Sequence, residues 1–514
     1  MNISDKKLNG VVYTPKWIVD LILDKIEYKN NIYDKKIIDP ACGEGAFLGE
    51  VVERFFADAK KNNLNSPRVK SDLEKNIFGF DIDNMAIRKC RMLLDNIASR
   101  YGIKDVKWHI TKTDSMDKDS MSKFFNSFDF VVGNPPYIRI QHLGAERRNK
   151  IQREWRLCAR GSTDIFITFF ELGFYLLHKT GKLGYITPNT YLKTKAGEAL
   201  REFVKTSRSL KTLIDFGHNQ LFENATTYSV ITILDKSRRQ ETFALYKGDG
   251  GSVHYIDEVS AENLNNDNWI LTSNEILKKL KAIENNGVPL HRIAKIHVGV
   301  TTLADDFYIF KEPKFIGASA EIMLKDGRIF PIERDILKPI VKASVLKSPN
   351  EDQNRYIIFP YRKIGNKHTI IHENELKNKF PLAYSYLLSV KENLDKRDKG
   401  KINPVAWYAF GRSQGLETSF GKKILTSPIN LKPNFIVWEK EEFTFYAGYC
   451  IKFDGDLRLL AKYLNSDDME FYISHVSRDY QNNYKSFAKS FIEKFGITGF
   501  GQIQIQKQQS LALL

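Results

Sequence analysis

Short apolar runs alternate with helical patterns over residues 11–235 of this 514-residue chain. The runs are rich in Ile, Val, Phe and Tyr, which is typical of buried strands, and most are separated by stretches of helical periodicity. Strands joined through helices form crossovers, so the pattern predicts a doubly wound α/β domain with a mostly parallel sheet. The predicted strands are KKIID (35–39), IFGFDI (77–82), VKWHIT (106–111), FDFVVG (128–133), LGYITP (183–188), LIDFG (213–217) and YSVITIL (228–234).

After residue 240 the chain becomes polar and rich in Asn and Asp, which predicts a connecting segment. Within it, WILTSNEILKKLKAIENNG (269–287) has helical periodicity and ends on a glycine. Beyond residue 290, irregular strands, frequent aromatic residues and a late helical stretch at 457–477 predict an α+β domain with its own core. The predicted divisions are 1–240 (α/β domain), 241–290 (connecting segment), 291–500 (α+β domain) and 501–514 (tail).

Lys and Arg outnumber Asp and Glu by 78 to 62, which gives a formal net charge of +16 at pH 7. Such a surface attracts phosphates, so nucleic acid is the favoured partner. The four cysteines lie far apart without a Cys-x-x-Cys pair, so neither a metal site nor a disulfide framework is expected. The N-terminus lacks a leader pattern and no apolar run is long enough to span a bilayer. A cytoplasmic protein without a membrane partner is therefore expected.

A loop of small residues, DPACGEG (39–45), follows the first predicted strand. Small side chains allow backbone N–H groups and the next helix N-terminus to approach a ligand, and open α/β sheets bind ligands at strand ends. The spacing differs from Gly-x-Gly-x-x-Gly, which disfavours a nicotinamide enzyme. The predicted cofactor-binding residues of this loop are Asp39, Pro40, Ala41, Gly43 and Gly45.

Two carboxylates follow later strands of the same predicted sheet. Asp81 ends the second strand, where a carboxylate suits a pair of ribose hydroxyls, and Asp114 follows the third, where it can accept from an adenine amino group. Asp is also a common turn and cap residue, so neither carboxylate alone is strong evidence for a binding site. Their order after the glycine loop predicts an adenosine pocket.

The tetrapeptide Asn134-Pro135-Pro136-Tyr137 follows the fourth predicted strand. The Asn134 side-chain oxygen and the Pro135 carbonyl can each accept one N–H of a planar amino group, and the prolines hold these acceptors in place. Tyr137 offers a face on which a base can stack. This arrangement suits methyl transfer from a sulfonium donor to an amino nitrogen, with alignment as the main source of catalysis.

These motifs resemble the gamma-class N6-adenine DNA methyltransferases of restriction–modification systems, the group typified by the TaqI enzyme. The resemblance covers most of residues 11–495 and is more specific in the first half. It implies S-adenosyl-L-methionine as cofactor, bound in a Rossmann-like domain, a C-terminal target-recognition domain, and an adenine flipped out of double-stranded DNA. It also places Thr14, within VVYTPKWIVDLIL (11–23), and Asn134 at the cofactor, and Phe222 opposite Tyr137 against the flipped base.

Basic side chains are dense just after the tetrapeptide, in RIQHLGAERRNKIQREWRLCARG (139–161), and recur in the second half. Such stretches can grip a phosphate backbone, although a solvated basic helix face has the same composition. The residues predicted to contact DNA are Arg139, Arg147, Arg148, Lys150, Trp407, Arg412 and Lys485.

Two other functions share these motifs. A methyltransferase acting on RNA or on a protein glutamine amide faces the same planar NH₂ group, but the long basic second half and Phe222 favour DNA. An enzyme that both cuts and methylates is disfavoured because only about ten residues precede the first motif and a nuclease-like metal constellation is not evident. A monomeric modification enzyme is expected, with a cognate restriction endonuclease recognising the same site as its partner.

Overall fold

The computed structural model describes residues 14–161, 163–217, 219, 221–222, 228–237, 239–264, 269–351, 354–478 and 480–499. It divides into two compact units, Met1–Leu277 and Lys278–Leu514. The first three residues of the predicted N-terminal element and the predicted tail at 501–514 lie outside the described residues.

The first unit contains one sheet with strand order β3-β2-β1-β4-β5-β7-β6-β8-β9 among the described residues. The pairings from β3 through β5 are parallel, β7 runs antiparallel to both β5 and β6, and β9 runs antiparallel to β8. The strands are β1 (Ile37–Asp39), β2 (Ile77–Asp81), β3 (His109–Lys112), β4 (Phe128–Gly133), β5 (Leu177–Pro188), β6 (Leu210–Asp215), β7 (Ser229–Asp235), β8 (Thr242–Gly248) and β9 (Val253–Ser260).

Helices cover both faces of this sheet. Side chains that are adjacent along a strand point to opposite faces, so Ile37 packs in one core and Ile38 in the other, and Val132 and Val131 alternate in the same way. The helices are α1 (Lys16–Lys25), α2 (Ala46–Lys61), α3 (Ser66–Asn76), α4 (Asn84–Arg100), α5 (Lys118–Ser122), α6 (Ala145–Glu154), α7 (Ile165–Leu176) and α8 (Glu198–Ser207), followed by α9 (Asn274–Asn285) at the unit boundary. The doubly wound α/β prediction is confirmed.

Helices α1 to α4 supply the first core and α5 to α8 supply the second. Local signals fix their starts: Asn65 accepts the Arg68 N–H at the start of α3, where a proline occupies the first turn, and Asp83 accepts the Met85 N–H before α4. The two layers leave the strand ends as the accessible edge of the sheet.

Asn189 holds together the chain segments around β6 and β7. Its backbone N–H donates to the Tyr228 carbonyl at 2.9 Å, and its side chain donates to the Gly217 carbonyl at 3.2 Å. The end of β6 and the beginning of β7 are thus tied to the residue that follows β5.

The predicted connecting segment at 241–290 requires a correction. Its first part forms β8 and β9, which extend the sheet, and Phe243 and Leu245 enter the second core. The polar GDGGS stretch is the hairpin turn between these strands, where the Asp249 side chain accepts the N–H groups of Gly251 and Ser252. The predicted helix at the end of the segment is α9.

The second unit is a mixed α+β structure, as predicted, with two four-stranded sheets, β11-β24-β20-β22 and β12-β17-β16-β23, among its described residues. Its strands are β10 (Val288–Pro289), β11 (Lys295–Val298), β12 (Ile309–Lys311), β13 (Lys314–Ile316), β14 (Ser319–Met323), β15 (Ile329–Glu333), β16 (Leu337–Lys342), β17 (Arg355–Ile358), β18 (Tyr361–Ile364), β19 (Lys367–Ile370), β20 (Lys423–Thr426), β21 (Ile429–Asn430), β22 (Ile436–Trp438), β23 (Thr444–Tyr446), β24 (Tyr449–Lys452), β25 (Lys485–Ser486) and β26 (Gly496–Ile497).

Helices of the second unit are short, and many of its aromatic side chains are buried. They are α10 (Leu290–Ile293), α11 (Asp305–Tyr308), α12 (Glu373–Lys379), α13 (Pro381–Ser389), α14 (Lys391–Asp395), α15 (Arg397–Gly400), α16 (Leu457–Leu464), α17 (Asp467–Val476) and α18 (Lys489–Ile492). None of the helices in the described part of the chain is long and apolar enough to cross a membrane.

Candidate active site at the carboxyl edge of the first sheet

The carboxyl ends of β1, β2, β3 and β4 meet at one edge of the sheet, because these adjacent strands are parallel. Asp39 ends β1, Asp81 ends β2, Asp114 follows β3 and Asn134 follows β4. The structure therefore brings together the four polar residues that the sequence predicts for one site.

The loop after β1 is fixed by hydrogen bonds that its backbone N–H groups donate to residues of β2. The Cys42 N–H donates to the Phe80 carbonyl at 2.9 Å, and the Gly43 N–H donates to Asp81 Oδ2 at 2.9 Å. Gly45 precedes α2 with φ +95°, and a Cβ there would lie 2.8 Å from the Cys90 sulfur, so glycine is required for both conformation and packing. The loop is a rigid turn leading into a helix N-terminus.

Asp39 is a buried carboxyl group, 2% exposed. Burial raises its pKa to about 8; the Ala41 N–H, which donates to Oδ1 at 3.0 Å, opposes that shift, and the nearby Asp81 charge adds to it. Its carboxyl group therefore holds a proton at neutral pH and becomes a favourable anion only when a cation approaches it.

Gly133 is a site residue that the sequence reasoning missed. A Cβ at this position, the last of β4, would lie 2.7 Å from Asp39 Oδ1, so only glycine allows the strand to pass this close to the carboxyl group. Ser115 was also missed; its buried hydroxyl donates to the Pro40 carbonyl at 2.5 Å and ties the segment after β3 to the loop. The position of Gly133 directly before the tetrapeptide was the sequence signal that could have identified it.

Asp81 supports the loop after β1 with one carboxylate oxygen and the turn after β2 with the other. Oδ2 accepts the Gly43 N–H and Oδ1 accepts the Asp83 N–H, each at 2.9 Å. Each oxygen keeps a further lone pair for a ligand hydroxyl. The structure thus shows Asp81 as a turn-forming residue. Its contact with a ribose remains a prediction.

Asp81→Ala and Asp81→Asn separate these two roles. Asn can keep an acceptor for one backbone N–H but loses the charge that strengthens hydrogen bonds to ribose hydroxyls. We expect Asp81→Asn to weaken S-adenosyl-L-methionine binding by about tenfold, since hydrogen bonds to charged groups are worth about 1.5–3 kcal/mol, and to lower the melting temperature less than Asp81→Ala, which removes both acceptors. Isothermal titration calorimetry and thermal unfolding measure both quantities. An unchanged dissociation constant in both variants would leave Asp81 as a turn residue only.

Asp114 and Arg147 form an ion pair. Arg147 Nη2 lies 3.0 Å from Asp114 Oδ2, while Asp114 Oδ1 accepts the Met116 N–H at 3.0 Å. Lys150, one turn further along α6, pairs with Asp117 at 2.7 Å. Two of the residues predicted to grip DNA therefore hold α6 against the segment after β3, where the predicted adenine acceptor lies.

The tetrapeptide after β4 holds Asn134 in one orientation. Asn134 Nδ2 donates to Thr14 Oγ1 at 3.1 Å, and the Tyr137 hydroxyl donates to Asn134 Oδ1 at 2.6 Å. Burial raises the pKa of Tyr137, so its hydroxyl stays a neutral donor. The contacts orient the Asn134 amide with its oxygen toward Tyr137, and they place the predicted Thr14 directly beside the tetrapeptide.

The aromatic residues predicted to sandwich a base lie in different surroundings. The Tyr137 ring packs edge-on against Phe166, with centroids 6.4 Å apart. Phe222 is 4% exposed and belongs to the core that contains Phe216 and Ile231. A stacking role for Phe222 stays a prediction.

The other residues predicted to contact DNA differ in their exposure and in the hydrogen bonds that they form within their own units. Arg139 is exposed and Arg148 is half-buried. In the second unit, Trp407 Nε1 donates to Glu373 Oε1 at 3.0 Å, and Arg412 forms a two-bond ion pair with Asp398. Lys485 lies in β25 and is half-buried. Trp407 is therefore a packing residue of its unit as well as a predicted contact.

The loop and its carboxylates fit S-adenosyl-L-methionine. A Cβ added at Gly43, which has φ +52°, would meet no atom within 4 Å, so the space above the loop is open to a ligand. The buried Asp39 carboxyl group suits a cationic ligand group for the reason given above. Among the described residues, no cluster of three or more His, Cys, Asp or Glu side chains is arranged to hold a metal ion.

Comparison with known proteins identifies relatives over most of the chain. Residues 75–222, which include β2 through β6, match the Eco57I restriction-modification methylase family model. The type II methyltransferase M.BstVI of Geobacillus stearothermophilus is 25% identical over 529 residues, covering 95% of this chain and 90% of that protein. M.BanIII of Aneurinibacillus aneurinilyticus is 26% identical over 546 residues, covering 94% and 86%.

The chain is a homologue of restriction–modification methyltransferases. The comparisons confirm the resemblance to methyltransferases of restriction–modification systems that the motifs indicate. The type II restriction enzyme and methyltransferase RM.Eco57I of Escherichia coli is 27% identical over 478 residues, which cover 79% of this chain; the chain spans 48% of that protein's length.

A solved structure shares the fold of this chain. The type IIL restriction-modification enzyme MmeI, solved in complex with DNA, matches with a TM-score of 0.59 at 12% identity, covering 96% of this chain and 69% of that chain. At this identity the match supports the fold alone.

Proposed function

We propose that this protein is a site-specific DNA methyltransferase that transfers a methyl group from S-adenosyl-L-methionine to N6 of an adenine flipped out of double-stranded DNA. The observation that carries the proposal is the fixed Asn134 amide, held by Thr14 and Tyr137 at the sheet edge that also carries Asp39 and the glycine loop. The homology to restriction–modification methyltransferases supports DNA as the substrate.

Asn134 and Pro135 provide the acceptors for the target amino group. An adenine N6 lone pair is delocalised into the ring, and two acceptors that draw its N–H groups out of conjugation increase its nucleophilicity. The Asn134 oxygen is an acceptor with two lone pairs, one of which receives the Tyr137 hydroxyl. The orientation is set before the base arrives, which lowers the reorganisation cost of the reaction.

Residues of the loop and its neighbours would hold the cofactor. Asp39 offers a buried carboxyl group for a cationic part of the ligand, the loop glycines offer open backbone, and Asp81 and Asp114 offer acceptors for ribose and adenine. S-adenosyl-L-methionine supplies an electrophilic methyl group on a sulfonium centre when it is bound.

A duplex hides its bases, so the target adenine must rotate out of the helix to reach Asn134. Tyr137 then offers a face for stacking, with Phe222 as the proposed second aromatic. The second unit is proposed to recognise the target sequence, and a cognate endonuclease for the same site is the proposed partner of a monomeric modification enzyme.

Mapping of modified bases tests this function directly. The protein is expressed in a bacterial host that lacks adenine methylation, and N6-methyladenine is located across the genome by single-molecule sequencing, with an Asn134→Ala strain as the control. We expect methylation of one short sequence motif in the wild-type strain alone. Purified protein that transfers label from S-adenosyl-L-methionine to tRNA or to a glutamine-bearing protein, and not to duplex DNA, would overturn the proposal.

The binding of DNA is expected to weaken steeply as salt increases, because each phosphate contact releases counterions. Arg148→Ala should reduce the slope of log K against log salt by about one, in proportion to the phosphate contact removed. Lys60→Ala, which removes an exposed cation from α2, is the matched control and should leave the slope unchanged. Fluorescence anisotropy at several salt concentrations measures the slope; a wild-type affinity independent of salt would contradict the expected basic interface.

A further inference from the structure

A protruding loop of the second unit carries an unusual combination of side chains. The loop, residues 397–405, begins in α15, where Asp398 and Lys399 have φ values of +49° and +61° and Gly400 has φ +79°. Two successive non-glycine residues in the left-handed region carry a conformational cost that persists only when neighbouring contacts impose it. The loop is therefore held in its shape by the surrounding structure.

Arg397 anchors the beginning of the loop. Its guanidinium is buried and donates to the carbonyls of Leu394 at 2.7 Å, Ala409 at 2.8 Å and Trp407 at 2.6 Å. A buried cation that serves three backbone acceptors fixes the segments on both sides of the loop relative to each other.

Asn403 and Arg412 anchor the rest of this loop. The Asn403 side chain donates to the Phe410 carbonyl at 3.0 Å and accepts the Val405 N–H at 3.0 Å. Arg412 pairs with Asp398 through two contacts of 3.1 and 3.2 Å. Residues 399–402 therefore project from a base that is fixed at both ends.

Ile402 lies at the projecting part and is 94% exposed, the highest value among the large hydrophobic side chains of the described residues. Single apolar side chains on a surface are ordinary, but this one is held out by a rigid, strained loop. Exposed Lys399 and Lys401 precede it in the chain, and the Asp398 carboxylate is already paired with Arg412. The tip thus combines an exposed apolar side chain with two exposed lysines that lie near the Asp398 carboxylate.

We propose that Ile402 is a wedge that inserts between base pairs of the bound duplex while Lys399 and Lys401 contact the flanking phosphates. Branched apolar side chains can enter a base step and unstack it, and lysines beside the wedge supply the electrostatic attraction that offsets the unstacking cost. This inference rests on the proposed action on double-stranded DNA. Lysine is depleted in protein–protein interfaces, which disfavours a protein partner for the same tip.

Four variants of the full-length protein test the wedge: Ile402→Ala removes it, Ile402→Leu restores an apolar side chain of similar size, Ile402→Lys replaces it with a cation, and Lys401→Ala removes a flanking charge. Leu388→Ala is the matched control, since Leu388 is a 45% exposed residue of α13 in the same unit with no adjacent cation in the sequence. All four changes alter exposed side chains, so the melting temperature should stay constant.

The duplex carries the recognition motif mapped in the host genome, with 2-aminopurine placed in turn at each position of the bound region. Wild-type protein should increase the fluorescence at one step outside the target base, and Ile402→Ala should abolish that increase and lower kcat/KM about tenfold, in line with the loss of a side chain that props open a base step. Ile402→Leu should retain both properties.

Salt dependence separates a wedge from a merely charged loop. Ile402→Ala should keep the wild-type salt slope, Lys401→Ala should reduce it by about one, and Ile402→Lys should bind non-specific DNA more tightly yet show the same loss of unstacking as Ile402→Ala. If wild-type protein methylates DNA, and Ile402→Ala has the same 2-aminopurine fluorescence and kcat/KM as Leu388→Ala, the proposed wedge is wrong. If wild-type protein methylates no DNA, the proposed function fails, and the wedge fails with it.

Discussion

Replacing Asn134 by alanine is expected to reduce methyl transfer to DNA by about 100- to 1000-fold or more, the loss seen when one preorganised hydrogen-bonding group is removed from a reacting centre. The change removes the acceptor that the structure orients with Thr14 and Tyr137. The dissociation constant for S-adenosyl-L-methionine should change little, because the lost acceptor acts on the base. Single-turnover methylation of a duplex and calorimetric titration of the cofactor measure the two quantities.

Tyr137→Phe is the matched control for this variant. It keeps the aromatic face and removes only the hydroxyl that donates to Asn134 Oδ1, so its effect should be about tenfold or less, the value of one net hydrogen bond. Equal losses in the two variants would show that orientation by the tyrosine, and not the amide acceptor, limits the reaction. Near-normal turnover in Asn134→Ala would rule out the proposed role.

Cofactor affinity is expected to increase with pH up to about 8 because Asp39 must lose its proton to meet a cationic ligand. Burial is the main reason that its pKa is about 8. Asp39→Asn should lower the affinity for S-adenosyl-L-methionine about tenfold or more at pH 8.5, where a buried charge–charge contact is lost, and remove most of the pH dependence. Titrations at pH 6 and 8.5 measure both effects.

The same substitution should stabilise the protein when no cofactor is added. The unfolded chain ionises Asp39 near its ordinary value of 3.8, whereas the folded chain keeps the proton until about pH 8, so wild-type stability falls as pH increases through this interval. Asp39→Asn keeps an acceptor for the Ala41 N–H and should therefore melt a few degrees higher at pH 8, with little difference at pH 4.

Asp58→Asn supplies the contrast for Asp39→Asn. Asp58 is also buried, but its carboxylate accepts the backbone N–H groups of Asn31 and Ile32. Its neutralisation weakens both bonds and should lower the melting temperature. A lower melting temperature for Asp39→Asn as well would contradict a protonated carboxyl group at position 39.

The fold class and the four residues at the sheet edge could be predicted from the sequence because the alternation of strand and helix patterns, and the residues that follow each strand, are local signals. The boundaries of the third strand could not. VKWHIT was predicted as a strand at 106–111, but the ladder begins at His109, since Val106 and Trp108 pack into the core as loop residues. The Trp108 side chain donates to Asp95, a contact with no local signature.

Contacts between distant segments account for the other differences between the predictions from sequence and the structure. The close approach of Gly133 to Asp39, the pairing of Arg147 with Asp114 and the extension of the sheet by β8 each join residues that are far apart in the chain. The basic face of α6 was interpreted as a phosphate grip from its composition alone. Composition cannot reveal that Arg147 and Lys150 have acidic partners after β3.

The tie made by Asn189 has a consequence for the connection between β6 and β7. Because Asn189 fixes both Gly217 and Tyr228, the sheet does not depend on the length of the chain between them. Each doubling of such a connection costs only about 0.6 kcal/mol of closure entropy. A longer connection should therefore leave β6 and β7 paired, whereas a substitution of Phe222 within it changes a buried core side chain that is also the proposed second aromatic of the base site.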